Sequence, residues 1–368
     1  MNTVCPPDCC TGCMACSDVC PVSAISIRER ISCYCAQVDA SKCVDCGLCM
    51  KVCQLHNPPE LKEPIVCMEG WAKDERIRAH ASSGGLATAL AAAFLRNGGV
   101  VYTCVFRDGE FAFVRMERAS DLETAAGSKY VKSTMRGAYA PVKKSLLENE
   151  KVLVIGLPCQ IAGDKNFVGE KLQERLYTID LICHGTPAPE LLELYLRQRG
   201  KSLKTVREIS FRNKDCFGLA FASAQKGISR SRDAYMIAFL NGLSYTENCY
   251  RCAYARYERV GDITLGDSWG SDLPGEEQRK GISLVLAQSE KGRELLAMAD
   301  IELCDVDIDK AVSANKQLCH PSKRPAQRDE FMDAIRNGKR FDWALWKCYP
   351  RQCAKQLVKK ALIVFCRR

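Results

Sequence analysis

Apolar and polar positions follow two different periods along the chain. Ser82-Ser-Gly-Gly-Leu-Ala-Thr-Ala-Leu-Ala-Ala-Ala-Phe-Leu-Arg-Asn-Gly98 has a capping serine, an apolar core at helical spacing and a terminal glycine, and predicts a helix. Val100 to Phe106 and Phe111 to Glu117 flank Arg-Asp-Gly-Glu and predict a hairpin. Pro141 to Asn149 predicts a second helix. Lys151-Val-Leu-Val-Ile-Gly156 is a short β-branched run that breaks into Leu157-Pro-Cys-Gln160. Leu176-Tyr-Thr-Ile-Asp-Leu-Ile-Cys183 does the same before His184-Gly185, and each run is followed by a helical segment. The two are expected to be parallel neighbours in an α/β sheet, with Cys159 and Cys183 together at its carboxyl edge, where open sheets place their ligands. A third strand is expected in Asp262-Ile-Thr-Leu-Gly-Asp-Ser-Trp-Gly270, just after Cys249-Tyr-Arg-Cys252.

The first 55 residues lack this patterning and carry cysteines instead. Cys10-x2-Cys13-x2-Cys16-x3-Cys20 is followed, 33 residues on, by Cys43-x2-Cys46-x2-Cys49-x3-Cys53. This is the bacterial-ferredoxin arrangement for two 4Fe–4S clusters, in which the fourth cysteine of each run serves the other cluster. Cys10, Cys13, Cys16 and Cys53 are therefore assigned to one cluster, and Cys43, Cys46, Cys49 and Cys20 to the other. A zinc site would want four ligands in a closed tetrahedron, which gives no reason for triplets with an outlier. Cys5, Cys9, Cys33 and Cys35 flank these ligands without an assigned role.

Gln54 to Pro64 is rich in proline and polar residues and reads as a linker. The expected organisation is a two-cluster ferredoxin-like domain at 1–55, a linker at 56–64, a mixed α/β domain in two parts at 65–150 and 151–320, and a basic helical tail at 321–368. The fold class is α+β joined to α/β.

A chain of 368 residues with 24 cysteines is not a small disulfide scaffold, and the cysteines point to metal or redox chemistry in a reducing compartment. Cluster ligands begin within ten residues of the first methionine and no apolar run approaches the roughly 20 residues of a spanning helix, so the expectation is cytoplasmic. The formal charge of +9 falls to about +5 once two clusters, each near −2 with its thiolates, are counted. A mildly basic face suits an acidic electron carrier of the ferredoxin or flavodoxin type. No interleaved aromatic and basic motif supports nucleic-acid binding. Arg351 to Arg368 carries six Lys or Arg and no acid, with Leu357, Val358, Ala361, Leu362 and Phe365 at helical spacing. A helix packed on its own domain is favoured over one lying on a membrane surface.

Taken as an ordered set, these segments resemble the beta subunits of the deazaflavin (coenzyme F-420) hydrogenases and dehydrogenases. That family also includes ferredoxin-linked reductases acting on divinyl chlorophyllide and hydroxymethyl chlorophyll. The likeness runs to about residue 320. It rests on the ferredoxin pair, Ser82–Leu90, Gly127-Ser-Lys-Tyr-Val-Lys-Ser133, Gly156–Gln160, Cys183-His-Gly185, Phe211-Arg-Asn-Lys214, and Cys249/Cys252 leading into Gly266-Asp267.

The resemblance implies FAD, a small-molecule substrate and a further 4Fe–4S cluster. Cys159, Cys183, Cys249 and Cys252 sit in turns after strands or in a C-x2-C pair and form the expected third quartet; zinc at the C-x2-C, or Cys159 and Cys183 as small core residues, is the alternative. For flavin the resemblance implies the turn Ser82, Ser83, Gly84 and Gly85 and the segment Gly127, Ser128 and Lys129, with the Lys129 amine near a pyrophosphate or the flavin N1–C2 carbonyl. A plain helix cap is the alternative for the glycine turn. Arg212 and Lys214 are candidates for substrate or diphosphate contact, against a solvated strand edge. His184, beside Cys183, is a candidate proton donor or a structural imidazole.

Overall fold

The computed structural model describes residues 3–214, 216–221 and 233–365. In chain order its strands are β1 (Ile25–Arg30), β2 (Cys33–Val38), β3 (Val66–Ala72), β4 (Val100–Arg107), β5 (Glu110–Met116), β6 (Val152–Gly156), β7 (Leu176–Leu181), β8 (Ser210–Arg212), β9 (Phe217–Ala220), β10 (Ile263–Asp267), β11 (Ser283–Ala287) and β12 (Ile301–Asp305). Eight of them form one mixed sheet in the order β12-β3-β11-β10-β7-β6-β4-β5. Its centre, β4-β6-β7-β10, is parallel, with Ile155 opposite Ile179 and Ile179 opposite Ile263. Antiparallel strands flank it on both sides, β5 beyond β4 and β11, β3 and β12 beyond β10.

The parallel centre follows from burial on both faces, which asks for unbroken apolar runs. In β6, Val152 and Val154 face one core, with Tyr139, Ile161 and Leu176. Leu153 and Ile155 face the other, with Leu86, Leu90, Ile179 and Leu265. The helix Leu86–Arg96 covers the second face, and Tyr139–Leu147 and Pro158–Val168 cover the first.

The expected hairpin is β4–β5, and β6 and β7 are parallel neighbours. Three antiparallel strands, β3, β11 and β12, extend the sheet beyond that reading; they lie after turns that carry no strong hairpin signal. Helix Leu86–Arg96 is not capped by a serine. Gly85 occupies the cap with φ +86°, and a Cβ there would stand 3.2 Å from the Arg78 Cα and the Ile77 Cγ2. The second helix runs Tyr139–Leu147, two residues earlier than Pro141–Asn149 predicts.

The proline-rich stretch is not a free tether. Lys62 pairs with Arg259 in an isolated bridge, Leu61 packs on the core, and the Asn57 carbonyl accepts from Asn166 Nδ2 at 2.7 Å. Nor is the ferredoxin-like region a separate bead, since Val4, Ala15, Tyr34 and Val52 share one core with Tyr139, Val154 and Ile161. The C-terminal helices Arg328–Arg336, Phe341–Cys348 and Pro350–Phe365 pack into a further core through Phe331, Met332, Phe341, Leu345 and Cys353, alongside Leu192, Tyr195 and Tyr235. The side chain of Phe365 and residues 366–368, part of the expected basic tail, lie outside what is described. Among the described residues no helix is long and apolar enough to cross a membrane.

Candidate iron–sulfur and cofactor site

The carboxyl ends of β6, β7 and β10 lie side by side, and the chain leaves each of them into a functional candidate. After β6, Cys159 is the second residue of helix Pro158–Val168, so its sulfur sits in the first turn, where backbone N–H groups favour anionic ligands. After β7, Ile182 N donates to Leu265 O at 2.9 Å, and the chain then bends through Cys183 and His184. Cys249 and Cys252 lie in and just after a short 3-10 segment, Glu247–Arg251. One cavity of about 140 Å³ is lined by Cys159, Cys183, Cys249 and Cys252. The same cavity is lined by Cys10, Cys13, Cys16 and Cys53, with Cys5 and Cys9. None of these cysteines is in a disulfide. Among the described residues no three His, Cys, Asp or Glu side chains converge on the point of a single metal ion.

Burial and crowding shape the chemistry of these thiols. Burial, reinforced by Cys249, Cys159 and Cys252, pushes the Cys183 thiol up. Burial, with Cys159 and Cys249, pushes Cys252 up to about 12. Burial therefore favours the protonated thiol at Cys183 and Cys252, and metal coordination would deprotonate them outright. The donor set and its burial fit an iron–sulfur cluster. Cys53, from the second cysteine run, lines the cavity together with Cys10, Cys13 and Cys16 of the first, and Cys20 is not among its lining residues. Cys43 and Cys46 are exposed, and Cys20 and Cys49 are half-buried. The cysteines of the second assignment therefore stand nearer the surface than those of the first.

Residues that sequence reasoning did not single out hold this region together. Lys132 is buried and its Nζ donates to Cys159 Sγ at 3.0 Å. Burial opposes its charge, but Cys159, Cys249 and Cys183 outweigh burial and raise its pKa. A lysine inside the apolar Tyr-Val-Lys-Ser context was the available signal. Gln54 Nε2 donates to Cys159 O at 2.5 Å and to Thr11 Oγ1 at 3.0 Å, linking the ferredoxin-like region to the sheet edge. Cys5 is buried in the same cavity, and the neighbouring thiols of Cys10 and Cys53, with burial, raise its pKa.

Beside the cysteine cavity, on the same edge, lies a cleft of about 740 Å³. Ser82, Ser83, Arg212, Lys214, Asp267 and the half-exposed Trp269 line it. Arg212 Nη1 pairs with Asp267 Oδ2 at 2.7 Å, and its guanidinium lies over the rings of Phe217 at 4.8 Å and Trp269 at 5.7 Å. Lys214 Nζ donates to the Ser83 carbonyl, and burial, with Arg78 and Arg212 nearby, holds its pKa down to about 8. The Asp267 charge reaches across to His184, which lines the cysteine cavity; burial lowers the His184 pKa and Asp267 partly restores it.

Two expectations change in detail. The glycines of the 82–85 turn are explained by protein backbone. A Cβ at Gly84 would lie 2.4 Å from Gly70 O and 2.8 Å from Ser283 N, so the turn packs against β3 and β11, and only Ser82 and Ser83 reach the cleft. Gly127 takes φ +84°, and Ser128 N donates to Ser82 Oγ at 2.7 Å, so this segment adjoins the cleft without lining it. The Lys129 amine turns away. It donates to the carbonyls of Ala125 at 2.7 Å and Gly127 at 3.0 Å, and burial lowers its pKa. With its donors occupied by backbone, Lys129 does not present a charge to the cleft.

Residues 67–138 match the family model for the N-terminal region of the coenzyme F420 hydrogenase/dehydrogenase beta subunit, and residues 149–308 match the model for its C-terminal region. Residues 36–55 match a 4Fe–4S binding domain. A component of the F420H2 dehydrogenase of Methanosarcina mazei, one of that enzyme's subunits, is 23% identical over 188 residues, covering 48% of this chain and 53% of that protein. The coenzyme F420-dependent sulfite reductase of Methanocaldococcus jannaschii is 23% identical over 326 residues, covering 80% of this chain and 46% of that protein. The chain thus spans about half the length of these curated relatives. A chain of the F420-reducing [NiFe] hydrogenase complex of Methanosarcina barkeri aligns with 77% of this chain and 98% of its own, at 19% identity and a TM-score of 0.45. With both family regions matched in order, the chain belongs to the family of coenzyme F420 hydrogenase/dehydrogenase beta subunits.

Proposed function

We propose that the protein is an iron–sulfur flavoprotein oxidoreductase, taking electrons from a ferredoxin- or flavodoxin-type carrier and delivering them in pairs to a small organic substrate. The observation that carries this reading is the order of its parts. Exposed Cys43 and Cys46 lead to a buried cavity lined by Cys10, Cys13, Cys16 and Cys53 and by Cys159, Cys183, Cys249 and Cys252, which adjoins the cleft of about 740 Å³. The cleft volume falls within the about 300–1,000 Å³ of cofactor sites. FAD, bound there, supplies the exchange between one-electron and two-electron traffic.

The chain's own residues have defined parts in this reading. Cys10, Cys13, Cys16 and Cys53 hold one 4Fe–4S cluster, Cys20, Cys43, Cys46 and Cys49 a second, and Cys159, Cys183, Cys249 and Cys252 a third. Lys132 offsets negative charge at Cys159, and Trp269 and Phe217 offer aromatic surface to a planar ring. His184, which lines the cysteine cavity and feels the charge of Asp267 in the cleft, serves as the proton donor in this reading. The protein acts in the reducing cytoplasm. Iron, acid-labile sulfide and flavin determined on anaerobically prepared protein test the assignment: about twelve irons and one FAD per chain are expected, and protein that takes up no flavin on reconstitution overturns it.

A second reading is favoured by the exposure of Cys43 and Cys46 and by one relative's being a subunit of a larger enzyme. Here the chain has no substrate site of its own and passes electrons to or from a separate catalytic partner. Isolated protein would then reduce only artificial acceptors until the partner is added.

A further inference from the structure

The C-terminal helix Pro350–Phe365 lies wholly outside the residues matched to the family, yet it reaches the cleft. Lys355, Gln356 and Lys359 are among the lining residues, on an arc of about 100° at 3.6 residues per turn. The start of the helix is anchored. Asn241 Nδ2 donates to Gln352 Oε1 at 2.8 Å, Gln352 Nε2 donates back to Asn241 Oδ1 at 3.0 Å, and Cys353 is buried in the core. The lysines are therefore delivered by a fixed element and not by a loose end.

The charge balance of the cleft gives them a purpose. Arg212 is neutralised by Asp267, and the Lys214 ammonium is held on the Ser83 carbonyl. Arg279, Lys355 and Lys359 also line the cleft, and among the described residues none of the three is paired with a carboxylate. Among the described residues, Asp267 is the one carboxylate lining the cleft. Positions i and i+4 of a helix set their Cβ atoms about 6 Å apart, a spacing that lets two lysines grip neighbouring phosphates. The half-exposed Trp269 lines the same cleft and offers a planar surface to a ring.

We infer that the C-terminal helix forms the cationic wall of the cleft, and that Lys355 and Lys359, with Arg279, hold the diphosphate of the dinucleotide bound there. This rests on the flavin reading above, with the phosphate recognition supplied by a segment that the family match does not include.

Equilibrium binding of FAD and of riboflavin to anaerobically reconstituted full-length protein, followed by flavin fluorescence, tests it. Lys355→Glu/Lys359→Glu should raise the Kd for FAD tenfold or more and leave that for riboflavin, which has no phosphate, within about twofold; Lys355→Gln/Lys359→Gln should fall between. Arg351→Glu, on the same helix but not at the cleft, should bind FAD as wild type does. Unchanged FAD affinity in the charge-reversed variant overturns the inference while leaving the flavin reading standing. Equal weakening for FAD and riboflavin also overturns it, because the helix would then be shaping the ring pocket. Wild-type protein that binds neither flavin fails the flavin reading itself, and the inference falls with it.

Discussion

Arg259 Nη2 and Asp180 Oδ1 stand 2.8 Å apart with both side chains sealed from solvent, and this pair ties the segment after Cys252 to the strand before Cys183. Asp180, in β7, also accepts from Gly261 N at 2.9 Å and Thr264 Oγ1 at 2.8 Å. Arg259 donates further to the carbonyls of Tyr254 at 2.6 Å and Leu181 at 2.9 Å. All three guanidinium nitrogens and both carboxylate oxygens are engaged, which is the condition under which a buried ion pair is tolerated.

Breaking this pair from one side leaves a buried charge. Arg259→Met or Asp180→Asn is expected to destabilise the protein by about 3–5 kcal/mol. The same variants should lose iron selectively from the quartet of Cys159, Cys183, Cys249 and Cys252. Denaturant titration together with iron counts checks both, and a destabilised variant with full iron content would separate the clamp from the site.

Exchange of the fourth ligand between the two cysteine runs makes a crossed prediction. Cys53→Ser should disturb the cluster of Cys10, Cys13 and Cys16, and Cys20→Ser that of Cys43, Cys46 and Cys49. Paramagnetic resonance of partly reduced samples distinguishes the buried cluster from the one nearer the surface. Disturbance within the same run would reverse the assignment.

Serine at Cys159 should remove about four of about twelve irons and leave the N-terminal pair intact. Lys132→Met keeps the ligand but deletes the ammonium 3.0 Å from its sulfur. The reduced, more negative state loses most from that change, so the potential should move negative by roughly tens of millivolts. Spectroelectrochemical titration reads the shift, and an unmoved potential would assign Lys132 to packing alone.

Asp164 has neither carboxylate oxygen hydrogen-bonded, and burial raises its pKa to about 7. A raised carboxyl pKa means that the folded state binds the proton more tightly than the unfolded chain. Stability from this residue is complete below about pH 4 and declines as pH rises to about 7, where the ionised form is buried without a partner. Asp164→Asn should remove that decline, on the order of a few kcal/mol between about pH 4 and pH 7. Comparing the two proteins' unfolding midpoints across that range checks it, and parallel curves would refute a titrating Asp164.

How much of this was legible in the chain differs from part to part. The two C-x2-C-x2-C-x3-C runs and the parallel pair β6–β7 follow from short-range spacing and unbroken apolar runs, so they are readable one segment at a time. The glycine turn was located by sequence but not explained by it, because the atoms that exclude a Cβ at Gly84 belong to Gly70 and Ser283, far away in the chain. Lys129 and Lys132, three residues apart, look alike in sequence. One turns to its own backbone and the other to Cys159, and only the packing around Ala125–Gly127 and the cavity decides which. The helix Pro350–Phe365 was likewise legible as basic and amphipathic, while its place at the cleft depends on Asn241 and on the core beneath Cys353. Ligand spacing and strand period are local properties carried by neighbouring residues. The meeting of cysteines from three sheet-edge segments with a ferredoxin-like region, held by Arg259, Asp180 and Gln54, is a property of distant residues and exists only once the sheet has formed.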